Sequence, residues 1–350
     1  MEEKTKVENL EKIKKKNFLL VGSNFKYSIE KSYLRAFKKL GIKNIIFFNA
    51  NKNFLLFSLS KILNKYILGL YYLIYRLILI NFVTKNKKFD YIIIFKGLEL
   101  TSETLKKIKK YQKKAKLINI FTDDPFNLKF ASCSNKEILK SIKIYDFFCT
   151  SFSKKLNYKL KNYKVKKHIF LPFAYDQVLH FSKKIVNKNK ILSKVNFVGA
   201  YDPERAFILN RLKTKVDVFG PGWTNSKIKN KLINLNNVFI HGAELKELFK
   251  KYAVSLNLLR RQDMESHNMK TFEIPSMGGL MLTYRNKEQN TFFKENQDCL
   301  MYSNMNELEN KINFILKNKK KAFKIRKQGY KKVKNHTYTN RLKYLLKNIY

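Results

Sequence analysis

Two glutamates, Glu265 and Glu273, bracket the start of a predicted helix in the run Glu265-Ser-His-Asn-Met-Lys-Thr-Phe-Glu273-Ile-Pro-Ser-Met-Gly278-Gly279. A helix over 268–277 places Glu265 just ahead of its free backbone N–H groups and Glu273 about one and a half turns inside. An anionic diphosphate suits such a helix start, with one carboxylate beside a sugar and the other accepting hydrogen bonds from ribose hydroxyls. His267, Asn268, Met269 and Lys270 form the turn that would meet the phosphates, Gly278 follows the helix, and Arg260 and Arg261 just upstream supply a phosphate clamp. Paired glutamates at this spacing also arise by chance in helical proteins, so the surrounding elements must decide.

Those elements alternate. Short apolar runs at 17–22, 43–49, 90–96, 116–122, 145–150 and 168–172 read as strands, with helices at about 28–40, 54–84, 101–113, 135–141 and 153–161 between them. A lysine- and asparagine-rich stretch, 183–193, reads as a linker. A second series follows, with strands at 195–199, 216–219, 238–241, 254–258, 279–283 and 299–302 and helices at about 203–213, 244–252, 268–277, 305–317, 320–335 and 339–348. The pattern predicts an α/β protein with two Rossmann-like, doubly wound parallel-sheet domains, 1–182 and 183–335. Residues 336–350 would form a terminal helix that packs back on the first domain.

Open α/β sheets bind ligands beyond the carboxyl ends of their strands, so residues just after strands become the shortlist, across a cleft where the two sets of strand ends would face. Gly22 permits a tight turn and close approach of backbone to ligand, or is simply a structural turn. Asp123 and Asp124 could hold or deprotonate an acceptor hydroxyl; the alternative is a helix cap with a solvated neighbour. Gly199 repeats the glycine turn in the second half, and Arg205 could reach a diphosphate or pair with Glu204 or Asp202. Gly220, in Gly220-Pro-Gly-Trp223, could admit a nucleobase or form a plain turn. His241 and His336 read as packing or capping residues. No G-x-G-x-x-G run marks a dinucleotide cofactor, and no histidine cluster marks a metal.

Composition sets bounds. With 350 residues, 45% of them hydrophobic, the chain has material for two cores. Its net charge of +47 invites a nucleic-acid reading, but lysine is spread over nearly every segment, and an A/T-rich coding bias accounts for the abundance of Lys, Asn, Ile, Phe and Tyr. Attraction to acidic lipid or a polyanionic substrate is the other reading. Cys133, Cys149 and Cys299 lie far apart and form neither a disulfide framework nor a zinc site. The first residues do not read as a signal peptide, so the expected location is cytoplasmic, with the inner face of the membrane as a peripheral position. The apolar stretch from Phe54 to Val83 is interrupted by Lys61, Asn64, Lys65 and Arg76, leaving no clean membrane span; a buried or amphipathic helix pair is the first reading, and a segment lying on a membrane surface, helped by the basic charge, is the second.

Taken together, Phe89-Asp-Tyr-Ile-Ile-Ile-Phe-Lys-Gly97, Asp123-Asp-Pro-Phe126, Phe197-Val-Gly199, Asn268-Met-Lys-Thr-Phe-Glu-Ile-Pro275 through Gly278-Gly279, and His336-Thr-Tyr-x-x-Arg341 resemble the spore-maturation-protein (CgeB-like) glycosyltransferases of the GT-B superfamily. The resemblance implies a GT-B fold and transfer of a sugar from a nucleotide diphosphate-sugar, a substrate and no cofactor, to a glycan, lipid-linked or protein acceptor. It implies that Glu273 binds ribose, that the backbone at His267–Met269 and Arg260 and Arg261 hold the diphosphate, and that Glu265 contacts the donor sugar. The spacing of the two glutamates is similar to that of retaining enzymes. No metal and no specific nucleic-acid partner are expected. Rival readings are a nucleotide-sugar epimerase or hydrolase of the same architecture, and a basic polyanion- or membrane-surface-binding protein.

Overall fold

A computed structural model of the chain describes residues 11–49, 65–86, 88–151, 156–224 and 226–350. The expected beginnings of the helices at 54 and 153 lie outside them. Two compact units emerge, Met1–Pro172 with Thr339–Tyr350, and Phe173–Tyr338. The first break thus falls ahead of the 183–193 stretch expected as a linker, because Ser182 is already tied into the second unit: its N–H donates to Ser276 O (3.0 Å) and its carbonyl accepts the Tyr330 hydroxyl.

The first unit runs β1 (Phe18–Gly22), α1 (Ile29–Lys39), β2 (Ile45–Asn49), α2 (Lys65–Lys85), β3 (Tyr91–Phe95), α3 (Ser102–Tyr111), β4 (Lys116–Phe121), α4 (Lys136–Ser141), β5 (Phe147–Thr150), α5 (Leu156–Asn162) and β6 (His168–Phe170). Its sheet is parallel, in the order β2-β1-β3-β4-β5-β6. β1 and β3 are buried at every residue, which is why they read as unbroken apolar runs and not as alternation: helices cover both faces of a parallel sheet. Leu19, Val21, Ile92 and Ile94 pack with Leu79 and Val83 of α2 and Leu105 and Ile108 of α3. Side chains fix where helices begin, with Ser28, Thr101 and Asn135 each accepting the N–H three residues on.

The second unit runs β7 (Leu192–Val198), α6 (Pro203–Asn210), β8 (Val216–Phe219), β9 (Ile233–Asn236), α7 (Gly242–Lys251), β10 (Tyr252–Asn257), α8 (Lys270–Ser276), β11 (Met281–Tyr284), α9 (Lys287–Phe292), β12 (Leu300–Tyr302), α10 (Met305–Lys317) and α11 (Lys319–Val333). α12 (Tyr338–Ile349) follows, and from Thr339 onward it counts with the first unit. The sheet is again parallel, ordered β12-β11-β10-β7-β8-β9.

One expected strand is misplaced. The third strand of this unit is Ile233–Asn236, whereas 238–241 forms no strand and exposes Val238 and Phe239. The Asn230 amide donates to Leu212 O (2.7 Å) and its carbonyl accepts Leu232 N–H (3.0 Å), turning the chain into β9 earlier than the apolar run suggested.

Candidate functional site

In the second unit the chain moves outward from β7 to β8 and β9, then returns to the other side of β7 as β10. The loops leaving β7 and β10 therefore part in opposite directions and open a crevice at the carboxyl ends, the usual ligand position in such sheets. Arg205 occupies it. Asp202 caps α6 by accepting Glu204 N–H, Pro203 opens the helix, and Arg205 follows in the first turn. Its Nε donates to Leu258 O and its Nη1 to Ala200 O, both 3.0 Å, so the guanidinium bridges the two loops instead of pairing with Glu204. Its face lies 5.4 Å from the Phe197 ring centre.

Burial lowers the Arg205 pKa from its ordinary value, and the positive charge of Arg260 lowers it further. Two cations thus converge where the sheet offers its ligand position. Arg260 is half-buried and donates to Asp263 (3.1 Å), while Arg261 is exposed.

Gly220 is required by Gly199, whereas a Cβ on Gly199 would lie 2.8 Å from the Phe197 ring. A Cβ on Gly220 would lie 2.1 Å from Gly199 O, and that oxygen also accepts the indole N–H of the fully buried Trp223 (2.9 Å). The Gly220-Pro-Gly-Trp223 turn thus has a packing reason for its first glycine.

The Glu265–Glu273 segment is held by His267 and Asn268, which sequence reading selected, and by Asn286 and Glu288, which it did not. Asn286 donates to Met264 O (2.9 Å) and Ser266 O (2.7 Å), fixing the loop on which Glu265 stands exposed. His267 is fully buried, its Nε2 accepting Phe173 N–H (3.0 Å), which leaves the ring proton on Nδ1 for Glu288 (2.6 Å). Its imidazole is a structural pin, and only its backbone remains a donor candidate. Asn268 accepts Thr271 N–H (3.2 Å) and donates to Asn257 (2.9 Å), tying the helix start to β10. That capping delays regular helix to Lys270, and Met269 is exposed.

Glu273 is buried beneath this turn, with Lys270 donating to Oε2 and His180 Nδ1 3.6 Å from Oε1. Burial pushes its carboxyl pKa up, but the charges of Lys270 and His180, the Lys270 hydrogen bond and His241 outweigh that and hold it below the ordinary carboxylate value. His180, in the irregular segment before β7, carried no sequence signal. At the other end of α8, Gly278 has φ of 82°, its N–H donates to Pro275 O and the N–H of Gly279 donates to Ile274 O. This is a left-handed helix stop, so Gly278 is a cap turned away from the helix start.

The first unit has its own switch point, between β1 and β3. Gly22 sits there because a Cβ would lie 2.6 Å from Glu30 Cγ, and Glu30 accepts Ser23 N–H (3.3 Å). Lys96 and Gly97, after β3, both have left-handed φ values, 58° and 79°, a strained choice for lysine. Lys96 pairs with Asp123 (2.6 Å), while Asp124 accepts Phe126 N–H (2.9 Å) in a turn and caps no helix. Burial raises the Asp124 pKa, opposed by the Phe126 bond and Lys159 and reinforced by Asp123. Glu99 is enclosed by protein yet still reached by solvent, and burial raises its pKa as well. The rule that selected Gly22, position just after a strand, would have found Lys96 and Glu99 too. Among the described residues no group of three or more His, Cys, Asp or Glu could hold a metal ion.

Residues 205–347 match the family model described as glycosyl transferase-like, a span that takes in Arg205, Arg260, Arg261, Glu265 and Glu273. No curated protein sequence matches the chain. Similar solved structures include Anabaena HepE in complex with UDP and glucose (9% identity, TM-score 0.63, 95% of this chain and 99% of that one). A glycosyltransferase from Rickettsia africae ESF-5 is 13% identical with a TM-score of 0.59, over 96% of this chain and 98% of that one. The trehalose-6-phosphate synthase OtsA is 10% identical with a TM-score of 0.65, over 95% and 98%. The fold is GT-B, and the family model and the fold together make the chain a glycosyltransferase.

Proposed function

We propose that this glycosyltransferase takes its sugar from a nucleotide diphosphate-sugar bound at the β7–β10 crevice of the second unit. Arg205, Arg260 and Arg261 hold the diphosphate with the backbone of the α8 start, Glu273 accepts ribose hydroxyls once Lys270 swings aside, and Glu265 meets the sugar. The observation that carries this reading is the placement of Arg205 in the first turn after β7 and of Arg260 just after β10, on the two loops that part at the crevice, where burial and the nearby charge of Arg260 lower the Arg205 pKa. When the sugar leaves, negative charge grows on the β-phosphate, and guanidiniums already in place stabilise it without a metal ion. The Glu265–Glu273 spacing favours a retaining outcome, and the Asn268–Gly279 and His336–Arg341 blocks favour kinship with the CgeB-like group. In the first unit, Asp124 takes or orients the acceptor hydroxyl's proton, with Asp123 held by Lys96 beside it. The acceptor is a glycan, lipid-linked or protein hydroxyl.

The test is calorimetric titration of nucleoside diphosphates, UDP first because HepE binds it. Arg260→Ala, at a half-exposed position, should keep the fold and weaken binding about ten- to hundredfold, the worth of a charge-assisted hydrogen bond or two. Unchanged affinity in the folded variant sinks the assignment. Transfer should persist in excess chelator, and the anomeric configuration of the product, read by NMR, tests the retaining outcome.

A further inference from the structure

Helix α2 of the first unit is apolar on both sides. Tyr71, Tyr75, Leu79 and Val83, spaced by four, are buried, and the last three join the core with Leu19, Val21 and Ile92. Leu70, Leu73, Ile74, Leu77 and Ile78 form a second stripe at the i, i+3, i+4, i+7, i+8 spacing, each between 38% and 57% exposed. Beyond it the outer face turns polar with Asn81, Thr84 and Lys85, all exposed. The helix contains no Asp or Glu. Packed against it, α3 exposes Lys106, Lys107 and Lys110, and the turn after it Lys113 and Lys114.

We propose that the outer stripe of α2 docks the first unit on an anionic phospholipid surface, the helix lying in the plane of the interface. Leu68–Lys85 is long and apolar enough to cross a membrane by length and composition. Its inner side chains are nevertheless built into the core, and the exposed stripe runs only about 12 Å against a hydrocarbon thickness of about 30 Å. A helix that keeps one face in a protein core can lie on a bilayer but cannot span it. Charge selects the partner. A second copy of a chain of net charge +47 would be repelled, whereas acidic headgroups attract the lysines of α3 and its following turn while the stripe enters the acyl boundary. The proposal goes beyond the donor site and does not depend on it, because its readout is binding to lipid and not transfer.

The experiment is co-sedimentation of the full chain with phosphatidylglycerol/phosphatidylcholine vesicles and with phosphatidylcholine alone. Wild type should pellet with the anionic vesicles, and a fraction should stay bound at about 1 M salt, where surface charge is screened. Leu73→Ser with Leu77→Ser should lower partitioning by on the order of tenfold or more at an unchanged melting temperature, since both side chains are exposed. Independently of that variant's folding, Leu77→Trp should shift its emission to the blue on anionic vesicles and be quenched by brominated acyl chains. Wild-type partitioning in the folded double variant, or a tryptophan at 77 that stays in water, overturns the proposal. So does a wild-type dimer that the same substitutions dissociate, which would give the stripe to a second copy.

Discussion

The two sheets share one architecture and carry opposite charge at equivalent places. In each, a glycine stands at the end of the first strand or just after it, and a residue from the first turn of the next helix folds back over it: Glu30 over Gly22, Arg205 over Gly199. Across the switch point the first unit adds Glu99 and the Lys96–Asp123 pair, the second adds Arg260. Backbone topology offers a ligand position in both units, and the side chain after the glycine decides its sign. An anionic diphosphate is repelled by a carboxylate at that point and drawn by a guanidinium, which is the physical ground for proposing the donor site in the second unit.

The largest effect expected is on turnover. If the acidic crevice serves the acceptor, Asp124→Asn lowers the transfer rate by about 10²–10⁴ with nucleotide affinity kept, the size of a lost general base. Steady-state rates alongside nucleotide titration check both halves, and near-normal turnover would leave Asp124 only its turn. Next comes the charge at the glycine. Arg205→Gln should weaken nucleoside diphosphate binding about ten- to hundredfold, whereas Glu30→Gln should leave it unchanged. Equal losses in both variants would erase the distinction between the crevices.

Much of this could be read from the chain. Strands buried on both faces announce themselves as apolar runs, and the residues that follow them, Gly22, Asp123, Gly199 and Arg205, were therefore on the shortlist. What escaped were functions exercised through contacts distant in sequence. Nothing local to Gly220 shows that Gly199 lies against it, and nothing local to His267 shows Glu288 on one nitrogen and the Phe173 amide on the other. The run 238–241 misled because Val238 and Phe239 are exposed, while the true strand was set by the amide of Asn230. His180 sits in an irregular segment, where periodicity carries no signal.

A smaller effect separates support from binding in the second unit. Arg285, after β11, donates to Glu295 (2.7 Å) and to Glu307, with Lys311 also on Glu295 (3.2 Å). Its hydrogen bonds, ahead of any opposing burial, hold the pKa of both carboxyls below the ordinary 4.5. Depressed carboxylates stabilise above their unfolded pKa and lose that contribution as pH falls through the folded value. Arg285→Ala should therefore cost about 1–3 kcal/mol in urea melts near neutral pH, and its deficit relative to wild type should shrink as pH drops below 4.5. A deficit that is constant down to the acid transition would mean packing, not charge, is what Arg285 supplies.

The least costly change tests the helix between the two glutamates. Gly278 was a candidate for donor contact, yet its φ of 82° and the two hydrogen bonds that close α8 make it a stop signal, and a Cβ there would find no atom nearer than 3.8 Å. Only backbone strain should then be felt on substitution. Gly278→Ala should cost about 1–2 kcal/mol, the penalty of a left-handed residue with a side chain, while nucleotide affinity stays at the wild-type value because the opposite end of the helix carries the proposed ligand. Melting temperature and calorimetric titration on one preparation distinguish the two roles. A variant that melts normally but binds nucleotide poorly would return Gly278 to the site and shift the proposed ligand toward the end of α8.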